Sequence, residues 1–111
     1  MNDPTEVSVC MERFYRRQPD TVLVFAPRVR WRPHTVAVLT SSPSVDRLEM
    51  EIWVAAQRRV EWTPAHCFCE IAKLARFDWP ELTAKGAVQI KFRGQSDFVF
   101  PVRVTGRLLD A

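Results

Sequence analysis

The densest grouping of chemically capable side chains is His66-Cys67-Phe68-Cys69, two thiols beside an imidazole. Such a set can ligate zinc or supply an activated thiolate. Zinc asks for about four ligands, and the chain has no Cys-x-x-Cys pair. The missing donors would have to come from Cys10, His34 or a carboxylate far away in sequence. If the segment is helical, Cys67 and Cys69 lie two positions apart and point to different sides, so they share neither a metal nor a disulfide. A thiolate nucleophile also needs a base held in place, and no Asn or Asp is spaced to orient His66. Cys67 and Cys69 therefore read as small core residues, with no catalytic residue and no metal ligand assigned. A cysteine- or metal-dependent enzyme is the third-ranked function.

A second grouping is Arg28-Val29-Arg30-Trp31-Arg32-Pro33-His34. In an extended chain, Arg28, Arg30 and Arg32 fall on one face, where guanidinium groups can track phosphates while Trp31 or nearby Phe25 stacks on a base. Arg13, Arg16 and Arg17 would join this patch if the first two strands formed a hairpin. The competing reading is that these arginines are solvated or pair with Glu49, Glu51 and Glu61, with Trp31 in the core. With 16 basic and 13 acidic residues, the net charge of +3 does not decide between them.

Trp53, Trp62 and Trp79 form the third group. Tryptophan is enriched at buried interface anchors as well as in cores. If Trp53 shares a face with Glu49 and Glu51, it sits among charges and becomes a candidate contact for a partner. The candidate partner- or polyanion-binding set is thus Arg16, Arg17, Arg28, Arg30, Trp31, Arg32 and Trp53. The chain lacks a glycine-rich phosphate loop, a nucleophile elbow and a His-Glu-x-x-His pair. With only 3 glycines, a nucleotide cradle of backbone N–H groups is not expected, and no cofactor is assigned.

The elements that position these groups follow from periodicity. Val7, Val9 and Met11 alternate with Ser8, Cys10 and Glu12, a half-buried strand. Gln18-Pro19-Asp20 turns the chain, and the continuously apolar run from Thr21 to Ala26 reads as a central strand ended by Pro27. Residues 28–34 read as irregular. Thr35 to Thr40 reads as a further strand, followed by a polar loop at 41–44. Residues 47–56 fit a strand by alternation and a helix by one apolar face; the unbroken alternation favours the strand. Thr63-Pro64 has the form of an N-cap followed by Pro at N1, and predicts a main helix over about 64–77. Its apolar stripe would be Phe68, Ile71, Ala72 and Ala75. Asp78-Trp79-Pro80-Glu81 suggests a capping box for a short second helix over about 79–85, closed by Gly86. Alternation through 88–93 and 98–105, around Gly94-Gln95-Ser96-Asp97, predicts a C-terminal β-hairpin, with Pro101 marking an edge or bulge.

The expected architecture is α+β: one domain over 1–111, a flexible lead at 1–5, and an antiparallel or mixed sheet of about five or six strands covered by the main helix. No apolar run approaches the roughly 18 residues of a membrane span, and the start lacks the basic and apolar regions of a secretory signal. Three cysteines do not suggest a disulfide scaffold. These features predict a cytoplasmic protein with no membrane association. The leading function is a small non-enzymatic binding, adaptor or assembly protein acting through protein contacts and forming a homodimer; the alternative is nucleic-acid or other polyanion binding.

Overall fold

A computed structural model describes residues 7–18, 20–40, 43–69 and 77–109. Its strands are β1 (Ser8–Tyr15), β2 (Val22–Phe25), β3 (Trp31–Val38), β4 (Leu48–Val54), β5 (Gln57–Pro64), β6 (Val88–Gly94) and β7 (Phe100–Leu108). They form two sheets, a three-stranded one in the order β1-β7-β3 and a four-stranded one in the order β2-β6-β4-β5. Every pairing between these strands is antiparallel. Short 3-10 turns occupy Pro43–Arg47 and Ala65–Phe68.

Alternation turns this topology into a core. Leu48, Met50, Ile52 and Val54 of β4, Val88, Ile90 and Phe92 of β6, and Val102 and Val104 of β7 are all buried. Leu23 and Phe25 of β2 join the same cluster with Trp31, Val36 and Val38 of β3. Each fully buried large apolar side chain contributes about 1.5–3 kcal/mol, so this shared interior holds the layers together. Gly106 of β7 is required by close packing: a Cβ there would lie 2.6 Å from Cε3 of Trp31. The ring of Trp31 is fully buried, and its Nε1 finds no acceptor among the described residues. At one end of the sandwich Tyr15 packs on Phe92 and Phe100, with ring centroids 5.1 and 5.0 Å away.

The α+β expectation is overturned. Thr63 and Pro64 end a β-strand, and only a single 3-10 turn follows. Thr63 does not cap it; its hydroxyl donates to the Glu61 carbonyl at 2.7 Å. The cap-like dipeptide is local chemistry that strand pairing with Glu49 and Met50 outweighs. The remainder of the expected main helix, over 70–76, lies outside the described residues, as does the lead at 1–5. The second helix is also absent: Leu82 is bridged to Trp31, with backbone bonds of 3.1 and 2.7 Å in the two directions. No helix among the described residues is long and apolar enough to cross a membrane.

The C-terminal hairpin is overturned too. Both strands exist, but β6 pairs with β2 and β4 while β7 pairs with β1 and β3. The segment between them crosses from one sheet to the other. Gly94 enters that crossing with φ of 94°, and a Cβ there would lie 2.1 Å from the Arg47 carbonyl oxygen. Pro101 is in the central strand of its sheet, with unbroken pairing to β1. Its carbonyl accepts from Leu39 N–H at 2.9 Å, so its donorless nitrogen faces the β3 side just where β3 has ended. Residues 48–54 are a strand, as alternation favours, and Trp31 to His34 belong to β3 rather than to an irregular loop.

Thr21 to Ala26 contains β2, but β2 lies at an edge rather than in the centre of its sheet. Leu23 and Phe25 are buried, while Val22 and Val24 face outward and are 47% and 43% exposed.

Candidate functional site

The arginine-tryptophan segment does not form a stacking platform. Trp31 is inside the core, while Arg30 and Arg32 converge on Glu81, at 3.2 and 3.3 Å from its two carboxylate oxygens. Arg28 is exposed and its backbone is left-handed, with φ of 64°, so it does not continue the alternation of Arg30 and Arg32. The first two strands are not paired as a hairpin, since β1 bonds to β7 and β2 to β6. Arg16 and Arg17 therefore lie apart from Arg30 and Arg32 in the strand order.

Trp53 does share the outer face of the four-stranded sheet with Glu49 and Glu51, and that face is internally paired. The Trp53 indole N–H donates to Glu51, which is itself buried. The Lys91 ammonium lies 4.4 Å from the Trp53 ring centroid, and the Arg93 guanidinium 4.5 Å from that of Trp62. Arg93 also bonds Glu49 at 2.8 Å. Cations over indole faces and carboxylates beside them satisfy one another, so this surface reads as a bonded lattice. Trp79 is buried and stacks on Phe77 at 4.3 Å.

The cysteines divide. Cys69 is buried, whereas Cys67 is exposed, which corrects the reading of that pair as core residues; Cys10 is exposed, on the polar side of the β1 alternation. Burial pushes the Cys69 thiol up, and nearby Asp46 and Cys67 push the same way, the reverse of what a thiolate nucleophile needs. His66 faces Asp46 at 3.7 Å on the surface. No group of three or more His, Cys, Asp or Glu among the described residues could hold a metal ion.

The four sheet edges are more informative. An unprotected edge presents unpaired N–H and C=O groups to any passing chain. The β3 edge is covered, by Leu82 on Trp31, by a 2.7 Å bond from Phe77 N–H to the His34 carbonyl, and by a bridge of Val38 to Cys69. The β5 edge carries exposed Gln57, Arg58, Arg59 and Glu61. The β1 edge mixes Ser8, Cys10 and Glu12 with a 45%-exposed Phe14, and Glu12 is bound by Arg103 at 2.7 Å. The β2 edge carries no charge of its own, and β1 runs beside it without backbone pairing.

Which β2 groups are open follows from one bond. Phe92 N–H donates to the Thr21 carbonyl at 2.9 Å, so Thr21, Leu23 and Phe25 face β6. The N–H and C=O of Val22 and Val24 then face away from it, because these groups alternate along a strand. Between this edge and the end of β1 lies an open cleft of about 500 Å³, lined by Glu12, Arg13, Phe14, Arg16, Val22 and neighbours. Arg13 spans it: Nε donates to the Val24 carbonyl at 3.3 Å and Nη1 to the Glu12 carbonyl at 3.2 Å. One guanidinium thus satisfies an acceptor on each of two open edges. Beside it, Arg17 donates to the Asp97 carbonyl at 3.4 Å, next to Phe98 and Val99, both 54% exposed.

Sequence reasoning placed Arg16 and Arg17 in the candidate set but missed Phe14, Val22 and Val24. A continuous apolar run reads as doubly buried. The signal against that was length, since Pro19 and Pro27 leave room for only a short strand, and short strands belong at edges. No known family model, curated protein or solved structure matches the chain.

Proposed function

We propose that this protein is a non-enzymatic binding module that recruits another polypeptide through the β1/β2 edge. The observation that carries the reading is the concentration of exposed apolar side chains there. Phe14, Val22 and Val24 flank the cleft, and Phe98 and Val99 lie beside its arginine end, among the six large exposed hydrophobics of the described residues. Exposed apolar side chains gathered on one surface favour contact with a second chain, because association buries them. The nucleic-acid reading of residues 28–32 loses its stacking residue to the core and two of its arginines to Glu81.

The test is site-specific photocrosslinking in the native host, with benzoylphenylalanine placed at Val22 and, separately, at Arg59 on the charged β5 edge. Discrete protein adducts from position 22 and none from position 59 are expected. No adduct at position 22 in cells that make the protein would remove the reading.

A further inference from the structure

We propose that Arg30, Arg32 and Arg107 form a binding site for a phosphate monoester on the outer face of the three-stranded sheet. The site shares no residue with the β1/β2 surface, so the two readings stand or fall separately. Three features of the fold bring the arginines together. Trp31 turns its ring into the core, which sends Arg30 and Arg32 on either side of it outward. β7 pairs with β3 so that exposed Arg107 stands directly opposite Arg32. Side chains opposite one another in an antiparallel ladder share a face, with Cβ atoms about 4.5–5.5 Å apart. The reciprocal backbone bonds between Trp31 and Leu82 then set Glu81 beside both Arg30 and Arg32.

Like charges facing each other across a ladder oppose sheet formation. Arg32 and Arg107 do so here, and among the described residues the carboxylate that reaches this cluster is Glu81, bound to Arg30 and Arg32. Three guanidinium charges therefore meet one carboxylate, which leaves two positive charges uncompensated at one place. Arg28 and Arg59 are also exposed with no carboxylate in reach among the described residues, but neither faces a second cation across a ladder. Convergence, rather than the lack of a partner, marks the site.

A phosphate monoester carries about two negative charges at neutral pH, on three oxygens that accept strong charged bonds. It matches the uncompensated charge, and the planar guanidinium fork engages two of its oxygens at once. A carboxylate or a phosphodiester brings one charge and leaves the other unmatched. Glu81 lies between Arg30 and Arg32 in the position the ligand would take. Its two ion pairs are half-exposed, and pairs of that kind contribute little, so it yields to a dianion. Such a site needs no stacking ring, so the burial of Trp31 does not weaken it.

Titration of the isotope-labelled full chain with O-phosphoserine, followed at the arginine Nε–H resonances, tests this. Saturable shifts are expected at Arg30, Arg32 and Arg107, and none of that size at Arg28 or Arg59. Dimethyl phosphate, a monoanionic diester, should bind at least about tenfold more weakly. Glu81→Gln removes the internal competitor and should tighten phosphoserine binding about tenfold. Arg107→Ala should weaken it about as much, while its urea midpoint stays or rises because the like-charge opposition is relieved. Comparing free phosphoserine with a phosphoserine peptide separates a small ligand from a phosphorylated protein; tighter binding of either one supports the site. Absence of saturable shifts, or equal shifts at Arg28 and Arg59, would overturn the proposal. Equal binding of dimethyl phosphate or unchanged affinity in Arg107→Ala would do the same. Displacement of phosphoserine by single-stranded DNA at a lower phosphate concentration would also overturn it.

Discussion

β5 and β2 close the two ends of the same four-stranded sheet, and they are finished in opposite ways. β5 spans eight residues and turns Arg58, Arg59 and Glu61 to solvent, with Arg58 and Glu61 paired at 3.6 Å. β2 spans four and turns out Val22 and Val24, with a borrowed guanidinium on one carbonyl. Both hydrogen-bond to a neighbour on one side only, so sheet formation does not explain the difference. β5 is guarded by charge, whereas β2 is shielded along its edge by β1 and keeps apolar side chains turned outward, where they can meet a partner. The contrast separates residues that hold the sheet from residues that meet something outside it.

The most damaging substitution should be one that removes the frame of the β2 edge. Tyr15→Ala deletes the ring packed on Phe92 and Phe100 and the hydroxyl that accepts from Ser96 N–H at 3.4 Å. A loss of about 3–5 kcal/mol is expected, read as a lower urea midpoint at unchanged slope. Less severe, Glu51→Ala between the two edges should cost about 1.5–3 kcal/mol, since it strips the Trp53 indole N–H of a charged acceptor. Photocrosslinking from position 22 should be unaffected by it; a change there would mean that the two surfaces are one site.

At the β5 end the effect should reverse sign. Ala55 and Ala56 form the two-residue turn between β4 and β5 with φ of 52° and 62°, the left-handed pair of a type I′ hairpin filled by residues that resist it. Ala55→Asn with Ala56→Gly should raise stability by about 1 kcal/mol in thermal unfolding. The smallest stability effect belongs to Val24→Lys, which gives β2 the finish of β5. It should move stability by no more than about 0.5 kcal/mol and abolish photocrosslinking from position 22. A large loss of stability would show that Val24 serves the fold and would dissolve the contrast.

Strand positions were largely legible in the sequence, because two-residue alternation reports which side chains face inward. Alternation around Leu48, Met50, Ile52 and Val54 was enough to find β4. Partnership was not legible. The same alternation in 88–93 and 98–105 is equally satisfied by a hairpin or by strands in different sheets, and the choice lies in Gly94 and the Arg47 backbone it touches. The Thr63-Pro64 pair carried a real helix-start preference, worth about 1 kcal/mol in caps of this kind, against an entire strand pairing with β4. Trp31 and Trp53 show the limit for the site. Trp31 is flanked by two arginines and Trp53 by Ile52 and Val54, yet the ring between charges is the one enclosed beneath Gly106, and the other lies across a buried glutamate.

The position of β7 has a consequence for biosynthesis. This strand is the middle of the three-stranded sheet, joining residues as distant as Glu12 and Arg103, 91 positions apart. While the chain emerges from a ribosome, β1 and β3 have no partner until β7 follows them out. The nascent protein must therefore carry two unmatched strands until residues 100–108 have emerged, exposed to chaperones and to neighbouring chains on the same messenger. A ribosome stalled before residue 100 would release a product that lacks one entire layer.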